Sequence, residues 1–528
     1  MPLGRRFASC LLALWCVGLM PSAHSAGGDL PSVQRIEGEI RGSDHETYRA
    51  VEFLVPPGIE RLDIEFMHDG AGIRTVVDLA VHGPAGFRGA SGSNKTLITL
   101  GPDDATPSYR PGPIEPGTWR LVLGLPNVRS VVGAAGRSVP PTRFVATIRM
   151  TTANSPLPVS AFAPGPLREV AGWYRGDVHS HTAHSDGSCA SRAGRRVPCP
   201  AFVTVDAAAR EGLDFLFVTE HNTTSHLNFL RELQPYFDDL LLVPGMELTS
   251  FGGHANLIGV ADASRLLRPG GGASDVGDEF RRVRERGGLV VVNHPGLPSN
   301  EDCMGCGWRN PIDWSAVDAV EIVNGGSLLR FGSAEGPFSA LAFWERLLDR
   351  GSRITAVAGS DSHDPTASAD RQVPVGRPRT VVFADSLSQR DLLAGLRAGR
   401  AFVDVQGSRT RFVDLRVVSG GQATTMGSSI ALARGTALEV EVTVRDVPGA
   451  QVHLIRGDDG THREATRFRV EAQDALLRHA IAASGCTGWI RADVRDAEGG
   501  LLLVSNPVYL LPETKQTPFC RGTVVDRQ

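Results

Sequence analysis

The stretch "VTVDAAAREGLDFLFVTEHN" (residues 203–222) changes period in its middle. Its first half has the apolar spacing of an amphipathic helix, and Gly212 stands where a helix end takes a residue that enters the left-handed region freely. From Asp214 to Thr219 the chain is then nearly all apolar over a length typical of a buried strand. That run closes on Glu220 and His221, two side chains that carry chemistry. A helix leading into a buried strand with polar groups at its end is the unit of an α/β architecture, and the question is how often it recurs.

It recurs from Trp173 to about Val405. Strand-like runs fall at 174–179, 214–219, 239–246, 254–260, 289–293, 318–323, 353–359 and 379–384. Between them lie further amphipathic stretches, "SDVGDEFRRVRERG" (274–287) and "PFSALAFWERLLDRG" (337–351), each ending on glycine. Repeated units of this kind predict an α/β domain with a mostly parallel sheet, and seven or eight of them predict a barrel or a distorted one.

On either side the period falls to two. "YRAVEFLV" (48–55), "TWRLVLGL" (118–125) and "RFVATIRM" (143–150) precede the central region, and "ALEVEVTVRD" (437–446) and "GWIRADVRD" (488–496) follow it. Alternation broken by glycine and proline predicts β-sandwiches flanking the central domain. The expected organisation is an N-terminal sandwich over 27–153, a proline-rich linker over 154–172, the α/β domain over 173–405 and a C-terminal sandwich over 406–528.

Residues 1–26 combine Arg5 and Arg6, an apolar run from Phe7 to Met20 and the small residues of "PSAHSA", the pattern of a cleaved secretory signal. No later segment is apolar enough to span a bilayer, so the expected location is periplasmic or secreted. Six cysteines remain after signal removal, and in an oxidising compartment the economical pairing is Cys189 with Cys199, Cys303 with Cys306 and Cys486 with Cys520. A zinc half-site or redox role for "CMGC" (303–306) is the competing reading. The formal charge of −4 and pI near 6.4 argue against a nucleic-acid partner and leave a small-molecule substrate as the expected one. Oligomeric state is left open.

Of the fifteen histidines, eight fall between 179 and 363, most of them at strand ends. "GDVHSHTAHSDGSC" (176–189) carries His179, His181 and Asp186; "LFVTEHN" ends on Glu220 and His221; "VPGMEL" holds Glu247; "GGHAN" holds His254; "VVVNHPG" ends on His294; "AGSDSHD" holds Asp361 and His363. Residues i and i+2 of an extended segment point the same way, so His179 with His181 and Asp361 with His363 can share an ion or bracket two. Imidazoles and carboxylates together suit zinc, manganese or iron. Nine candidate ligands exceed what one structural ion needs and point to two or three catalytic divalent ions. His184 and His226 are read as lying outside the set, and Glu220 as either orienting a ligand or acting on protons. Arg192, Arg195 and Arg196 are read as a solvated loop.

"HSHTAHSDG", "FVTEHN", "VPGMEL" with "GGHANLIG", "NHPG" and "GSDSH" together resemble, in order and spacing, the motifs of the polymerase-and-histidinol-phosphatase (PHP) superfamily of metal-dependent hydrolases. The leader, the leading β region and "SNPVYL" make the branch named for carbaryl hydrolases the more similar one. The resemblance implies a distorted (β/α)7 barrel with up to three ions. By motif it places His179, His181, Glu247 and Asp361 on the first, Glu247, His254 and His294 on the second, and Asp186, His221 and His363 on the third. Glu220 stands where many members carry aspartate.

The expected activity is hydrolysis of a phosphoester by a water held and deprotonated between ions. Asp361, Glu220 and His363 are the candidates for proton transfer. Arg175, Arg377 and Arg379 are the cations available for a phosphoryl group. A carboxylester, amide or carbamate hydrolase with the same centre is the alternative, and an exported binding protein without turnover is the second alternative.

Overall fold

A computed structural model describes residues 33–513 apart from 72–74, 94, 130–139, 153–161, 164, 260–275, 300–302, 304 and 459–460. The expected signal segment, part of the proline-rich linker and Cys520 therefore lie outside the described residues.

The first described strands form two four-stranded antiparallel sheets around one core. One runs in the order Val33–Ile40, Thr142–Thr152, Ile59–His68 and Leu97–Leu100. The other runs Thr47–Val55, Gly117–Asn127, Val76–Gly83 and Gly86–Ser91. Alternate residues such as Val51, Phe53, Leu62, Ile64, Trp119 and Leu121 meet between them, as a period of two dictates.

Nine central strands follow: β1 (Gly172–Asp177), β2 (Phe215–His221), β3 (Leu241–Ser250), β4 (Gly253–Ile258), β5 (Leu289–Asn293), β6 (Ala319–Asn324), β7 (Thr355–Gly359), β8 (Arg379–Ala384) and β9 (Ala401–Asp404). The helices are α1 (Ala201–Arg210), α2 (Leu227–Leu233), α3 (Val276–Glu285), α4 (Gly325–Phe331), α5 (Leu341–Asp349) and α6 (Gln389–Arg397). Gly212 and Gly287, at φ 69° and 81°, occupy the left-handed positions after α1 and α3.

These elements do not make the expected (β/α)7 barrel between two separate sandwiches. The described residues are mostly β, 46% strand against 13% helix, and the six α-helices among them are too few to alternate with the strands. The sheet is mixed. Strands β1–β2–β3 and β5–β6–β7 are parallel, whereas β3–β4–β5 and β1–β8–β9 are antiparallel. Only Phe251 and Gly252 separate β3 from β4, which leaves room for a hairpin and none for a crossover helix. Nor does the sheet stop at β9, which pairs with Leu501–Ser505 and so continues through Gly488–Arg495 to Gln451–Asp458 and Thr461–Arg469. The result is a sheet of fifteen strands. A four-stranded sheet, Gln422–Thr425, Phe412–Ser419, Ala437–Arg445 and Asp474–Ala482, packs on its far end through Val440, Val442, Val452 and Leu454.

The central strands are buried on both faces, which is why they read as continuous apolar runs. Phe215 and Phe217 of β2, Leu241 and Val243 of β3, Val291 of β5, Ala319 of β6 and Val357 of β7 share one apolar layer. Leu216 and Val218 face the other way, onto Val205 and Ala208 of α1 and Leu227 and Leu230 of α2. Continuing the first face along each strand leads from that apolar layer to His221, Glu247, Asn293, Glu321 and Gly359. Asn506 ties two strands together by accepting from the Ala356 N–H and donating to the Ala356 and Ala401 carbonyls.

Helix α6 starts at Ser388, whose hydroxyl accepts the Asp391 N–H at 3.2 Å. Ser388→Ala is expected to cost about 1 kcal/mol, read as a lower urea midpoint with an unchanged slope.

Candidate metal centre

Glu247, fully buried on β3, lies at the middle of the polar end of that face. Its Oε1 stands 3.4 Å from His179 Nε2, 3.3 Å from His254 Nδ1 and 3.4 Å from His294 Nε2. Its Oε2 stands 2.8 Å from His221 Nδ1 and 3.5 Å from His181 Nε2. Asp361 Oδ1 lies 3.3 Å from His179 Nε2 and 3.1 Å from His181 Nε2. Asp186 reaches in from the loop after β1, 3.3 Å from His363 Nε2 and 3.7 Å from His221 Nε2. All nine sequence-predicted ligands therefore belong to one connected cluster.

Two of them turn by backbone strain. His294 and Asp361 follow the ends of β5 and β7 with φ of 27° and 53°, a region non-glycine residues seldom enter. Each such residue costs on the order of 1–3 kcal/mol, and the strain bends both side chains back into the cluster.

The donor set fits divalent ions on one observation. His179 Nε2 and His181 Nε2 are buried yet make no hydrogen bond of acceptable geometry, although carboxylate oxygens stand 3.1–3.5 Å away. Buried imidazole nitrogens that lack a well-formed hydrogen bond are costly, and an ion held between them and the carboxylates would satisfy both. Ligand atoms within 4.8 Å of one another fall into the sets His179, His181 and Asp361; His179, Glu247 and His294; and His181, Asp186, His221 and His363.

Carboxylates and imidazoles in the cluster shift one another's protonation. Burial opposes the charged form of His179, but Asp361, Glu247 and Glu321 outweigh it and raise its pKa well above the usual value. Burial likewise opposes His363, and the Asp186 and Asp361 carboxylates raise it to about 9. Burial, with the neighbouring His363 cation, lowers His181 to about 4. Glu247 is held well below the carboxylate range because His179, His221 and His254 override its burial. Ion binding must displace the imidazole protons, so affinity should rise with pH, by about tenfold between pH 7 and 8 for the proton on His363 and further for the one on His179. Calorimetric titration of chelator-stripped protein with zinc checks this, and flat affinity would contradict the imidazoles as ligands.

Several residues that hold the cluster in place were missed by sequence reasoning. Glu321 on β6 stands 3.1 Å from His179 Nδ1 and accepts the His294 N–H at 2.9 Å. Asn293 donates to Glu247 Oε1 at 2.9 Å, and Asn324 donates to Glu321 Oε2 and Asp361 Oδ2. Asp177 accepts the backbone N–H groups of His179, Ser360 and Gly376. A buried acid or amide in an otherwise apolar strand, as in "AVEIVN" (319–324), was the available signal.

Glu220 faces away from the cluster. It follows Leu216 and Val218 on the helix-facing side of β2, and its two oxygens accept the hydroxyls of Thr182 and Ser185. His226 is fully buried, lowered to about 4 by burial, and interacts electrostatically with Glu220, whereas His184 pairs with Ser225. Neither lies in the cluster. The three arginines expected to meet a phosphoryl group are engaged elsewhere: Arg175 donates to the Ser408 and Arg411 carbonyls, Arg377 pairs with Glu211, and Arg379 donates to the Gly376 carbonyl. Arg192, Arg195 and Arg196 are exposed in the loop closed by the Cys189–Cys199 disulfide. Cys303 and Cys306 form a second disulfide, and the third expected pair involves a position outside the described residues.

No family model and no curated protein matches the sequence. Solved structures do overlap it in part. A two-domain protein from Bacteroides vulgatus containing a predicted PHP-like metal-dependent phosphoesterase aligns over 64% of this chain and 95% of its own, at 18% identity and a TM-score of 0.34. A protein from Bifidobacterium adolescentis, described as a candidate metal-dependent phosphoesterase, aligns over 42% of this chain and 94% of its own, at 16% identity and a TM-score of 0.26. Overlaps of that depth do not establish a shared fold. Among the described residues, no helix is long and apolar enough to cross a membrane.

Proposed function

We propose that this chain is an exported metal-dependent hydrolase of the PHP kind that cleaves a phosphoester. The observation that carries the reading is the Glu247 cluster, in which the buried Nε2 atoms of His179 and His181 face carboxylate oxygens without a hydrogen bond of acceptable geometry. Two or three divalent ions of the zinc, manganese or iron type would be held by His179, His181, Asp186, His221, Glu247, His254, His294, Asp361 and His363. Such ions lower the pKa of water and polarise a phosphoryl or carbonyl oxygen.

The protein's own groups supply the rest. Asp186, His363, His221 and Asp361 form the open side of the cluster, with side chains 57%, 28%, 26% and 18% exposed against 0% for Glu247, so substrate enters there. Asp361 Oδ2, supported by Asn324 Nδ2, accepts the proton of the attacking water, while Glu321 and Asn293 hold the ligands in orientation. Glu220 positions residues 182–185 through its two hydroxyl contacts and takes no part in proton transfer.

A second reading, hydrolysis of a carboxylester, amide or carbamate, is favoured by the engagement of Arg175, Arg377 and Arg379 elsewhere, because a neutral carbonyl needs no cationic clamp. Metal-loaded protein should be assayed on nitrophenyl phosphate mono- and diesters beside an aryl acetate and an aryl N-methylcarbamate. Turnover of the phosphoesters supports the proposal. Turnover of the carbonyl substrates alone replaces it with the second reading, and tight ion binding without any turnover leaves a binding protein.

A further inference from the structure

Gly305 and Cys306 stand against the back of the Glu247 cluster. His254 and His294 each have two ring nitrogens, and the inner ones, His254 Nδ1 and His294 Nε2, face Glu247. The outer nitrogen of His294, Nδ1, stands 3.5 Å from Cys306 Sγ. The backbone of Gly305 presses on the other ring: a Cβ there would lie 3.3 Å from His254 Nε2 and 2.2 Å from the Ser250 carbonyl oxygen, and φ is +83°. Ligand atoms of His254, His294, Cys303 and Cys306 all lie within 4.8 Å of one another. Cys306, His254 and His294 are almost fully buried.

We propose that Cys303, Cys306, His254 and His294 form a redox-gated soft-metal site, open to a zinc-class ion only when the cysteine pair is a dithiol. Two thiolates and two imidazoles are the tetrahedral donor set preferred by such ions. In the structure the pair is a disulfide and offers no thiolate. A dithiol reductant opens the site: two electrons and two protons pass to the pair, the S–S bond becomes two thiols, and the reductant leaves as its own disulfide. Ion binding then releases the two thiol protons. The inference rests on the reading of the Glu247 cluster as metal-binding, because it shares two of that cluster's imidazoles. A neutral imidazole has one free lone pair, so each ring can ligate on one side only. Reduction therefore moves an ion from the Glu247 side of His254 and His294 to the thiol side, weakening one position of the centre without adding an ion.

Cobalt(II) reads this directly. The full chain is stripped of metal and reduced with a phosphine, which takes up the oxygen of one water as it frees two thiols. The phosphine is removed and freed thiols are counted with a thiol-reactive dye before cobalt is added. Reduced protein should gain a near-ultraviolet sulfur-to-cobalt charge-transfer band that unreduced protein lacks, at an unchanged ion count. The Cys303→Ser/Cys306→Ser double variant should lose the band and keep the visible bands of nitrogen and oxygen ligation. If reduced protein has its thiols counted and shows no such band, or if the band persists in the double variant, the proposal is overturned while the Glu247 centre stands. If cobalt binds in neither state, both fall.

Discussion

Glu247→Gln is expected to lower turnover by at least about 10³-fold and to strip ions from the centre. Glu247 is the residue on which the arrangement converges, with five imidazoles within 3.5 Å of its two oxygens. Glutamine keeps the volume but offers one neutral oxygen where the carboxylate offers two charged ones, so it cannot bridge two ions. It also removes one of the carboxylate charges that raise His179 and His221. Metal content by elemental analysis and turnover on the best substrate of the panel give the readout, and circular dichroism checks the fold. His181→Ala should lose ions too, since its Nε2 faces both Glu247 and Asp361. Full metal content and full turnover in both variants would remove the basis for a hydrolytic centre.

Glu321→Gln tests the layer behind the ligands and should weaken the tightest ion by about 10- to 100-fold, the usual cost of losing a group that orients a metal ligand. Its carboxylate faces His179 Nδ1 and so favours the tautomer that leaves Nε2 free for an ion. Its other oxygen accepts the N–H of His294, the residue strained to φ 27°. Competition against a chelating dye measures the affinity, and turnover at saturating metal should recover most of the wild-type rate. An unchanged affinity would mean that packing alone holds His179 in place.

The cluster was legible because a strand displays its residues with a period of two. Several apolar runs in the middle of the chain end in a side chain of the right chemistry on the face that also carries their core residues, as in Phe215, Phe217 and His221 or Leu241, Val243 and Glu247. The same rule, applied strictly, places Glu220 with Leu216 and Val218 on the opposite face. Glu321 shares the interior face but lies in no motif, so burial of a polar group in an apolar strand was its only sign, whereas Asn293 opens "NHPG" and was passed over for its neighbour His294.

The sequence by itself determined where the strands lie, which side chains share a face and which nine residues could serve ions, because these depend on local periodicity and on the chemistry of each side chain. Only the tertiary structure decided that β4 turns back against β3 and β5, that β9 pairs with residues 501–505, and that Cys306 and Gly305 stand against His294 and His254. Pairing partners and strand direction are settled by turn length and by packing between segments up to about two hundred residues apart. A local hydrophobic pattern is the same whichever neighbour a strand takes.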